Sequence, residues 1–258
     1  MTENLLLILI GVVLGMLSGL FGVGGSSIAT PLLRLIDVSR MVALATPLPV
    51  TLPTAVIGGI IYWRHGYVHE KAVIWTTVGG VPTVLLGAYL TAEVPGRILM
   101  ALTGLFVIVV GVRILFDRAK SNTAPPPKRD SRSFFVLIGV VTGVFSGLLA
   151  NGGGFLLLPA YLLLSRFSPK EAAATSLVTV SLLAIPGTAM HYILGHIDFK
   201  IAALLALGVI PSTFVGAHIG LSLSKEKARW VFGLFLLLFG LFFLVRTIHR
   251  AEIYGWLK

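Results

Sequence analysis

Long stretches of the chain contain no Asp, Glu, Lys or Arg. Eight such runs are present, at residues 4–33, 41–63, 72–92, 98–112, 133–165, 172–197, 201–224 and 230–245. A helix rises about 1.5 Å per residue, so roughly 20 apolar residues cross a hydrocarbon core of about 30 Å. Six of the runs reach that length, and the two shorter ones reach it with a turn of flanking residues and snorkelling arginines. The pattern predicts an all-α polytopic membrane protein with eight to ten membrane segments.

The composition supports this class of protein. Hydrophobic residues make up 56% of the 258 positions and charged residues only 12%, about half of the fraction usual in soluble domains. The chain has no Cys and no Gly-X-Y period, so a disulfide scaffold and collagen are excluded along with soluble and disordered proteins. The net charge of +10 comes from 20 Lys or Arg against 10 Asp or Glu, and all ten acids lie outside the runs.

The runs divide into two homologous halves. A shift of 128 lays residues 11–31 on residues 139–159 without a gap, with ten identities in 21 positions. One inserted residue later, a shift of 129 pairs further positions, among them Thr46 with Thr175 and Gly104 with Gly233. A nearly constant offset over about 100 residues indicates duplication, because chance matches among small apolar residues would not keep it. We therefore predict an N-terminal repeat over 1–117 and a C-terminal repeat over 134–258, each with four charge-free runs.

A basic, proline-rich linker at residues 118–133 joins the predicted repeats. Basic residues concentrate in short cytoplasmic loops of membrane proteins, so we predict that this linker is cytoplasmic and that the protein is a multi-pass protein of the cytoplasmic membrane. Topology explains the basic cluster better than nucleic-acid binding does. The charge bias leaves two arrangements open. The halves are parallel if the first run of each is one broken crossing, and inverted if its break reverses the chain; the excess length of these runs favours inversion.

The first run of each half is interrupted by glycines, at Gly22–Ser27 and at Asn151–Gly154. Consecutive glycines cost helix stability and permit a turn, and non-helical backbone at membrane depth is tolerated only inside protein or beside a wet cavity. The segments 26–36 and 155–165 are therefore predicted to be half-helices that start at the breaks. The unpaired N–H groups and the positive dipole end of a helix start suit an anion. Close helix packing is the alternative role for glycine, but it does not need consecutive glycines.

Hydroxyl and amide side chains near the breaks complete the predicted substrate site. The predicted binding residues are Ser18, Gly22, Gly24, Gly25, Ser26, Ser27, Thr46, Ser146, Asn151, Gly152, Gly153, Gly154, Thr175 and Ser176. His191 and His218 lie well inside charge-free runs, where ionisable groups are functional candidates, so they are the residues available for proton coupling. The alternative for each is a neutral histidine hydrogen-bonded between helices.

The sequence lacks the patterns of catalysis and of cofactor binding. No acid lies in any run, whereas a cation pump or a proton relay normally keeps one inside the membrane. There is also no P-loop and no metal-ligand spacing of His with acids. We therefore predict a protein that is not an enzyme, with no cofactor and no metal, whose partners are a small anionic substrate and the lipid bilayer.

The glycine pattern resembles that of the TauE/SafE family of sulfite exporters. The resemblance rests on Gly15-x-x-Ser18-Gly19-x-x-Gly22-x-Gly24-Gly25 with Pro31, and on its echo Gly143-x-x-Ser146-Gly147-x-x-x-x-Gly152-Gly153 with Pro159. It extends to size, to the eight runs and to the duplication. The resemblance implies a bacterial or archaeal transporter that moves sulfite, organosulfonates such as sulfoacetate, or related sulfur-containing anions. Ala150 and Asn151 replace the Gly22-Val23 of the first half, so the two sides of the site differ chemically.

Together these features predict export of a small sulfur-containing anion through a central site made by the two breaks. The usual inside-negative potential favours the expulsion of one negative charge by about 2.3 kcal/mol per 100 mV. Two alternatives stay open at this stage. One is a permease for a cation or a neutral solute that uses the unwound carbonyls of the breaks, and the other is a membrane subunit or receptor with no flux of its own.

Overall fold

The computed structural model describes residues 2–24, 26–36, 38–92, 130–150 and 152–224, together with single positions between 105 and 115 and between 226 and 245. Within residues 2–92 and 130–224 the described chain forms nine α-helices and one short 3-10 turn, Leu90–Ala92, and no described residue lies in a strand. The helices are α1 (Thr2–Phe21), α2 (Ser26–Leu35), α3 (Arg40–Ala45), α4 (Pro47–Arg64), α5 (Glu70–Tyr89), α6 (Arg132–Leu149), α7 (Gly154–Leu163), α8 (Pro169–Ile193) and α9 (Phe199–Ser222).

The predicted all-α polytopic membrane architecture is confirmed. Six helical segments of the described chain are long and apolar enough to cross a membrane: Glu3–Phe21, Met41–Arg64, Glu70–Tyr89, Arg132–Leu149, Pro169–Ile193 and Phe199–Ser222. The runs predicted at 98–112 and 230–245 and the linker up to residue 129 lie mostly or wholly outside the described residues. The division into two repeats of four runs stays a prediction.

Helix starts follow local sequence signals. Ser168 and Glu171 form a capping box at the start of α8, in which the Glu171 carboxylate accepts the Ser168 N–H at 2.8 Å and Pro169 occupies the first helical turn. The Asp198 carboxylate accepts the N–H groups of Lys200 and Ile201 at the start of α9. These caps fix where the chain turns between crossings.

Two pairs of helices pack backbone to backbone through glycines. In the pair α1 and α9, a Cβ at Gly11 would overlap the carbonyl of Leu205, and one at Gly19 would overlap that of Thr213. In the pair α5 and α6, a Cβ at Gly79 would overlap the carbonyl of Val136. Small residues allow such close approach, which replaces the hydrophobic driving force that is missing between helices in lipid. We call each line of these contacts a glycine seam. Because the residue numbers of both helices increase together along each seam, the helices of both pairs run parallel.

The centre is formed by α4 and α8, which cross antiparallel. Gly58 of α4 lies against Leu177, and Gly187 of α8 lies against Leu48, so the numbering of the two helices runs in opposite directions. Gly187 also lies against Val84 of α5, and Gly220 of α9 lies against Tyr62 of α4. Following these contacts, α1, α4 and α9 share one direction, and α5, α6 and α8 share the opposite one.

Two ends of the helical body follow from these directions. The Tyr62 end holds the last residues of α1, α4 and α9 and the first residues of α5, α6 and α8. The His191 end holds the opposite termini. At the Tyr62 end, Lys71 and Asp130 form an exposed ion pair at 2.7 Å.

Large apolar side chains cover the outer surface of the crossing helices. Examples are Val78, Leu137, Ile185, Leu207 and Phe214, which are 54%, 60%, 56%, 63% and 55% exposed. Contiguous apolar surface of this kind is not stable in water and fits contact with lipid tails. The interior is filled by fully buried side chains such as Tyr62, Phe135, Phe155 and Tyr161.

Candidate functional site

The two glycine breaks lie against each other. A Cβ at Gly154, the first residue of α7, would overlap the carbonyl of Val23 in the first break. A Cβ at Gly24 would lie 2.9 Å from Cγ1 of Val180, and one at Gly152 would lie 3.3 Å from the same atom. The two predicted interruptions of the helices therefore meet at one place, between α4 and α8.

Left-handed backbone explains why the breaks are glycine. The φ angles are +73° at Gly22, +71° at Gly24, +66° at Gly152 and +80° at Gly153. Only glycine adopts this region without a steric cost. Ala150 stands at the repeat position of Gly22 and keeps a left-handed φ of +47°, at a cost of about 1–2 kcal/mol for a residue with a Cβ.

Half-helices follow both breaks, as predicted. α2 begins at Ser26 and α7 at Gly154, so each break is followed by a helix N-terminus with the positive end of its dipole. Ser27 follows in the first turn of α2, while Gly25 and Asn151 lie outside the described residues. Among the described residues, the side chains that lie against the break glycines are uncharged, so the polarity of this centre comes from backbone groups and hydroxyls.

Ser176 connects the two breaks. Its hydroxyl donates to the carbonyl oxygen of Gly22 at 3.0 Å, and the carbonyl oxygen of Gly154 lies at 3.4 Å. The Ser26 hydroxyl donates to the carbonyl oxygen of Gly24 at 3.0 Å. In this conformation the two hydroxyl protons therefore point at break carbonyls.

Two serines lie behind the breaks on the helices that lead into them. Ser18 is fully buried and its hydroxyl has no hydrogen-bond partner within the described part of the chain. Ser146 stands at its repeat position and is also buried, and a Cβ at Gly153 would lie 3.4 Å from its Oγ. A buried hydroxyl without a partner costs about 1–3 kcal/mol of folding free energy. The Ser18 hydroxyl is therefore a donor that a bound ligand could accept from.

The structure does not bring Thr46 and Thr175 to the breaks. The Thr46 hydroxyl accepts the N–H of Asp198 at 3.0 Å, and the Thr175 hydroxyl accepts the N–H of His69 at 3.2 Å. Each threonine thus satisfies a backbone donor in the loop that precedes a crossing helix of the other predicted repeat. These hydroxyls hold loops at the two ends of the body.

The two histidines differ in environment. His191 is fully buried near the end of α8, where its Nε2 lies 3.3 Å from the carbonyl oxygen of Gly147 and its Nδ1 lies 3.3 Å from Nδ1 of His196. His218 is exposed on the outer face of α9, with Nδ1 2.8 Å from the carbonyl oxygen of Phe214 in its own helix. Only His191 faces the chain segment that leads into a break.

Thr51 and Val180 are site residues that reasoning from the sequence missed. The Thr51 hydroxyl lies 3.2 Å from the carbonyl oxygen of Gly24 and 3.1 Å from that of Pro47. Val180 contacts both breaks with its methyl groups. Their numbers differ by 129, the offset of the later repeat positions, so that offset was the signal that could have identified them as partners.

Comparisons with known proteins agree with this architecture. The sequence model of a family described as sulfite exporter TauE/SafE matches residues 7–243. The probable membrane transporter protein YjnA of Bacillus subtilis (strain 168) is 28% identical over 247 residues, which cover 91% of this chain and 97% of that protein. The probable membrane transporter protein MJ0441 of Methanocaldococcus jannaschii is 28% identical over 261 residues, covering 93% of this chain and 95% of that protein.

Proposed function

Since the chain belongs to the sulfite exporter TauE/SafE family of membrane transporters, we propose that it exports a small sulfur-containing anion, sulfite or an organosulfonate such as sulfoacetate. The transported anion binds at the centre where the two glycine breaks meet. The family description supports the class of substrate, and the chemistry of the centre supports its charge.

The observation that carries this proposal is the meeting of two helix starts at one uncharged centre. α2 and α7 both begin there, and Gly154 packs against Val23 across the pair of breaks. The positive end of a helix dipole stabilises a negative charge, and helix N-termini are common anion sites in proteins. A cation would need break carbonyls instead, and those of Gly22 and Gly24 already accept hydroxyl hydrogen bonds from Ser176 and Ser26.

The proposed pathway has two halves of opposite orientation. α1 and α6 are the first helices of the predicted repeats, and they run in opposite directions across the body. The glycine contacts of the two helix pairs also correspond. Gly11 packs on Leu205, and Gly139 packs on Thr76. Gly139 is the repeat position of Gly11, and Leu205 is the repeat position of Thr76. These contacts support inverted repeats. Such repeats allow one conformation to open at one end and the symmetry-related conformation to open at the other.

Binding of the anion involves an exchange of hydroxyl partners in this proposal. The protons of Ser26 and Ser176 rotate from break carbonyls to the bound oxyanion, while the Ser18 hydroxyl supplies a donor that gives up no partner. Hydrogen bonds from these donors to a charged group are worth about 1.5–3 kcal/mol each. A net charge moved outward also gains the membrane potential, so export needs no further coupling.

Proton coupling, if present, acts through His191 in this proposal. Its Nε2 reaches the Gly147 carbonyl, three residues before Ala150, where the helix ends. His218 contacts its own helix on the outer face and takes no part. The distinction is testable because only a His191→Gln variant would remove a pH dependence of flux.

Flux through purified protein in liposomes tests the proposal. Vesicles loaded with sulfite or sulfoacetate are given a potential that is negative inside, and efflux is followed with methanesulfonate, thiosulfate, sulfate, sodium ions and a neutral sugar as competitors. We expect saturable efflux that small sulfur-containing anions inhibit. Competition by the cation or the sugar alone would support the permease for other solutes instead.

A further inference from the structure

A small cavity lies directly outside the first break, at the Tyr62 end. Its volume is about 20 Å³, which is room for one or two water molecules. We call it the Lys170 cavity. The residues that line it include Phe21, Tyr62, Lys170, Ala173, Gly220 and Leu223.

The cavity adjoins the backbone of the break. Phe21 immediately precedes Gly22, and a Cβ at Gly22 would lie 2.6 Å from the Cα of Ala173. A solute in the cavity is therefore separated from the first break by one residue on each side. The cavity lies at the start of α8 and at the ends of α1 and α9, three helices that surround this mouth.

Lys170 supplies the charge of the cavity. Of the described residues that line it, Lys170 alone is charged. Its Nζ donates to the carbonyl oxygen of Leu221 and lies 5.8 Å from the centre of the Tyr67 ring. An ammonium group has three N–H donors, so the Leu221 carbonyl leaves two for a solute.

The adjacent carboxylate does not cancel this charge inside the cavity. Glu171 does not line it, because its Oε2 accepts the N–H of Ser168 at 2.8 Å and its Oε1 lies 3.1 Å from Nε2 of His69. The carboxylate thus interacts with the N-terminal cap of α8 and with His69 in the loop that follows α4. The ammonium group is therefore the one charged group among the described residues that line the cavity.

The fold does not require a cation at this position. At the repeat offset of 129 the corresponding residue is Met41, so the other mouth is built without a lysine there. A lysine beside the last carbonyls of a helix stabilises that helix, and the Leu221 contact has this effect on α9. That stabilisation accounts for the contact but not for a charge directed into a cavity beside the break.

We propose that the Lys170 cavity is an anion-binding subsite at the mouth of the pathway, where Lys170 attracts a small oxyanion from water and passes it to the first break. The inference rests on the proposed function. The cavity is too small for the anion in this conformation, so loading requires the flexible stem of Lys170 to leave the Leu221 carbonyl. The Tyr62 end also carries Arg132, at the end of the basic linker predicted to be cytoplasmic, so an exporter would load its substrate here.

Chemical restoration of the charge tests this subsite. Because the chain has no native cysteine, a Lys170→Cys variant carries one thiol, and 2-bromoethylamine converts it to a lysine-like thioether that sulfite does not cleave. We expect Lys170→Cys to raise the KM for sulfite efflux by roughly tenfold, which corresponds to about 1.4 kcal/mol, with little change in kcat. Alkylation with 2-bromoethylamine should restore the KM, whereas the neutral 2-bromoethanol should not.

The control is Lys200→Cys, an exposed lysine at the His191 end, carried through the same treatments. Its KM should equal that of the wild-type protein throughout. A KM that is unchanged in Lys170→Cys, or that both reagents restore equally, would overturn the subsite while leaving the proposed function intact. Absence of flux in the wild-type protein would instead contradict the proposed function.

A second measurement examines the subsite without flux. A Leu223→Cys thiol lines the cavity, so its reaction rates with an anionic and a cationic methanethiosulfonate report the local potential. We expect the ratio of anionic to cationic rates to fall several-fold when Lys170→Gln is added, and methanesulfonate to slow the reaction only when Lys170 is present. A ratio that does not depend on Lys170 would overturn the inference whatever the transport assay gives.

Discussion

Thr51 and Val180 lie against the same two glycines from two different helices. A Cβ at Gly24 would lie 3.1 Å from Cγ2 of Thr51 and 2.9 Å from Cγ1 of Val180, and a Cβ at Gly152 would approach the same two methyl groups. The two residues are 129 positions apart, so they correspond in the predicted repeat. At this pair of corresponding positions, the residue on α4 carries a hydroxyl and the residue on α8 carries only methyl groups, so the two sides differ chemically here.

Substitution at the centre should affect transport beyond the cost of backbone strain. Gly24→Ala forces a Cβ against Val180 and Thr51 at a φ of +71°, whereas Gly66→Ala has the same strain at +75° with no atom within 4 Å of its Cβ. We expect backbone strain to cost both variants about 1–2 kcal/mol of stability, the close contacts to add to this cost in Gly24→Ala, and only Gly24→Ala to lose most of its sulfite efflux. Thermal unfolding and flux in liposomes measure the two effects, and equal loss of flux in both variants would argue against the centre.

Removal of the Ser18 hydroxyl should separate stability from binding. Ser18→Ala deletes a buried hydroxyl that has no partner within the described residues, so we expect equal or higher thermal stability. If the hydroxyl donates to the bound anion, the KM for efflux rises several-fold at the same time. Ser165→Ala deletes another buried hydroxyl of the same kind, away from the breaks, and should leave the KM unchanged. Identical kinetics in both variants would remove Ser18 from the site.

Gly22 and Ala150 are the left-handed positions that follow α1 and α6. Adding a methyl group at Gly22 should lower the stability, whereas removing the one at Ala150 should change it little. Ala150→Gly relieves strain at a φ of +47° and should leave stability within about 1 kcal/mol of the wild-type value, because loss of strain offsets added chain entropy. Gly22→Ala adds strain and places a Cβ 2.6 Å from Ala173 Cα, so we expect a loss of more than about 2 kcal/mol. Denaturant unfolding in detergent compares the two. A Gly22→Ala protein as stable as Ala150→Gly would contradict the packing at the first break.

The opposite directions of α1 and α6 predict the sidedness of two exposed residues. Single cysteines at Ser131, at the start of α6, and at Lys200, at the start of α9, lie at opposite ends of the body. We expect impermeant thiol reagents to label them from opposite faces of the membrane, with Ser131→Cys reached from the cytoplasm. Labelling from the same face would favour parallel halves, in which each first run crosses the membrane once.

The sequence predicted the local features of the site but not how they assemble. The helix starts at Ser26 and Gly154 could be predicted because consecutive glycines end a helix wherever they occur. The partner of each glycine seam could not, since a small residue such as Gly11 indicates close approach without indicating which helix approaches. His191 and His218 look alike in sequence, because each lies in a charge-free run. Only the packing of α8 and α9 puts one inside and the other outside.

Side-chain hydroxyls were the least predictable part. Thr175 and Ser176 are neighbours on α8 and point to different surroundings, a loop N–H in one case and two break carbonyls in the other. Thr51 could not be predicted as a site residue because it lies in a proline-rich helix with no sequence pattern that marks a binding group. In each case the role of the hydroxyl depends on the rotation of its helix, which an apolar run surrounded by lipid and protein does not encode clearly.

The contrast between the glycine seams and the centre has a mechanical consequence. In the pairs α1–α9 and α5–α6, most glycines lie against backbone atoms, as Gly79 does against Val136, so few flexible side chains are available to absorb a displacement. Between α4 and α8 the contacts are methyl ends, such as those of Leu177 against Gly58, which can slide past one another by changing rotamer. We therefore expect each glycine-packed helix pair to move as a rigid unit during transport, with the relative movement of the two pairs taken up between α4 and α8.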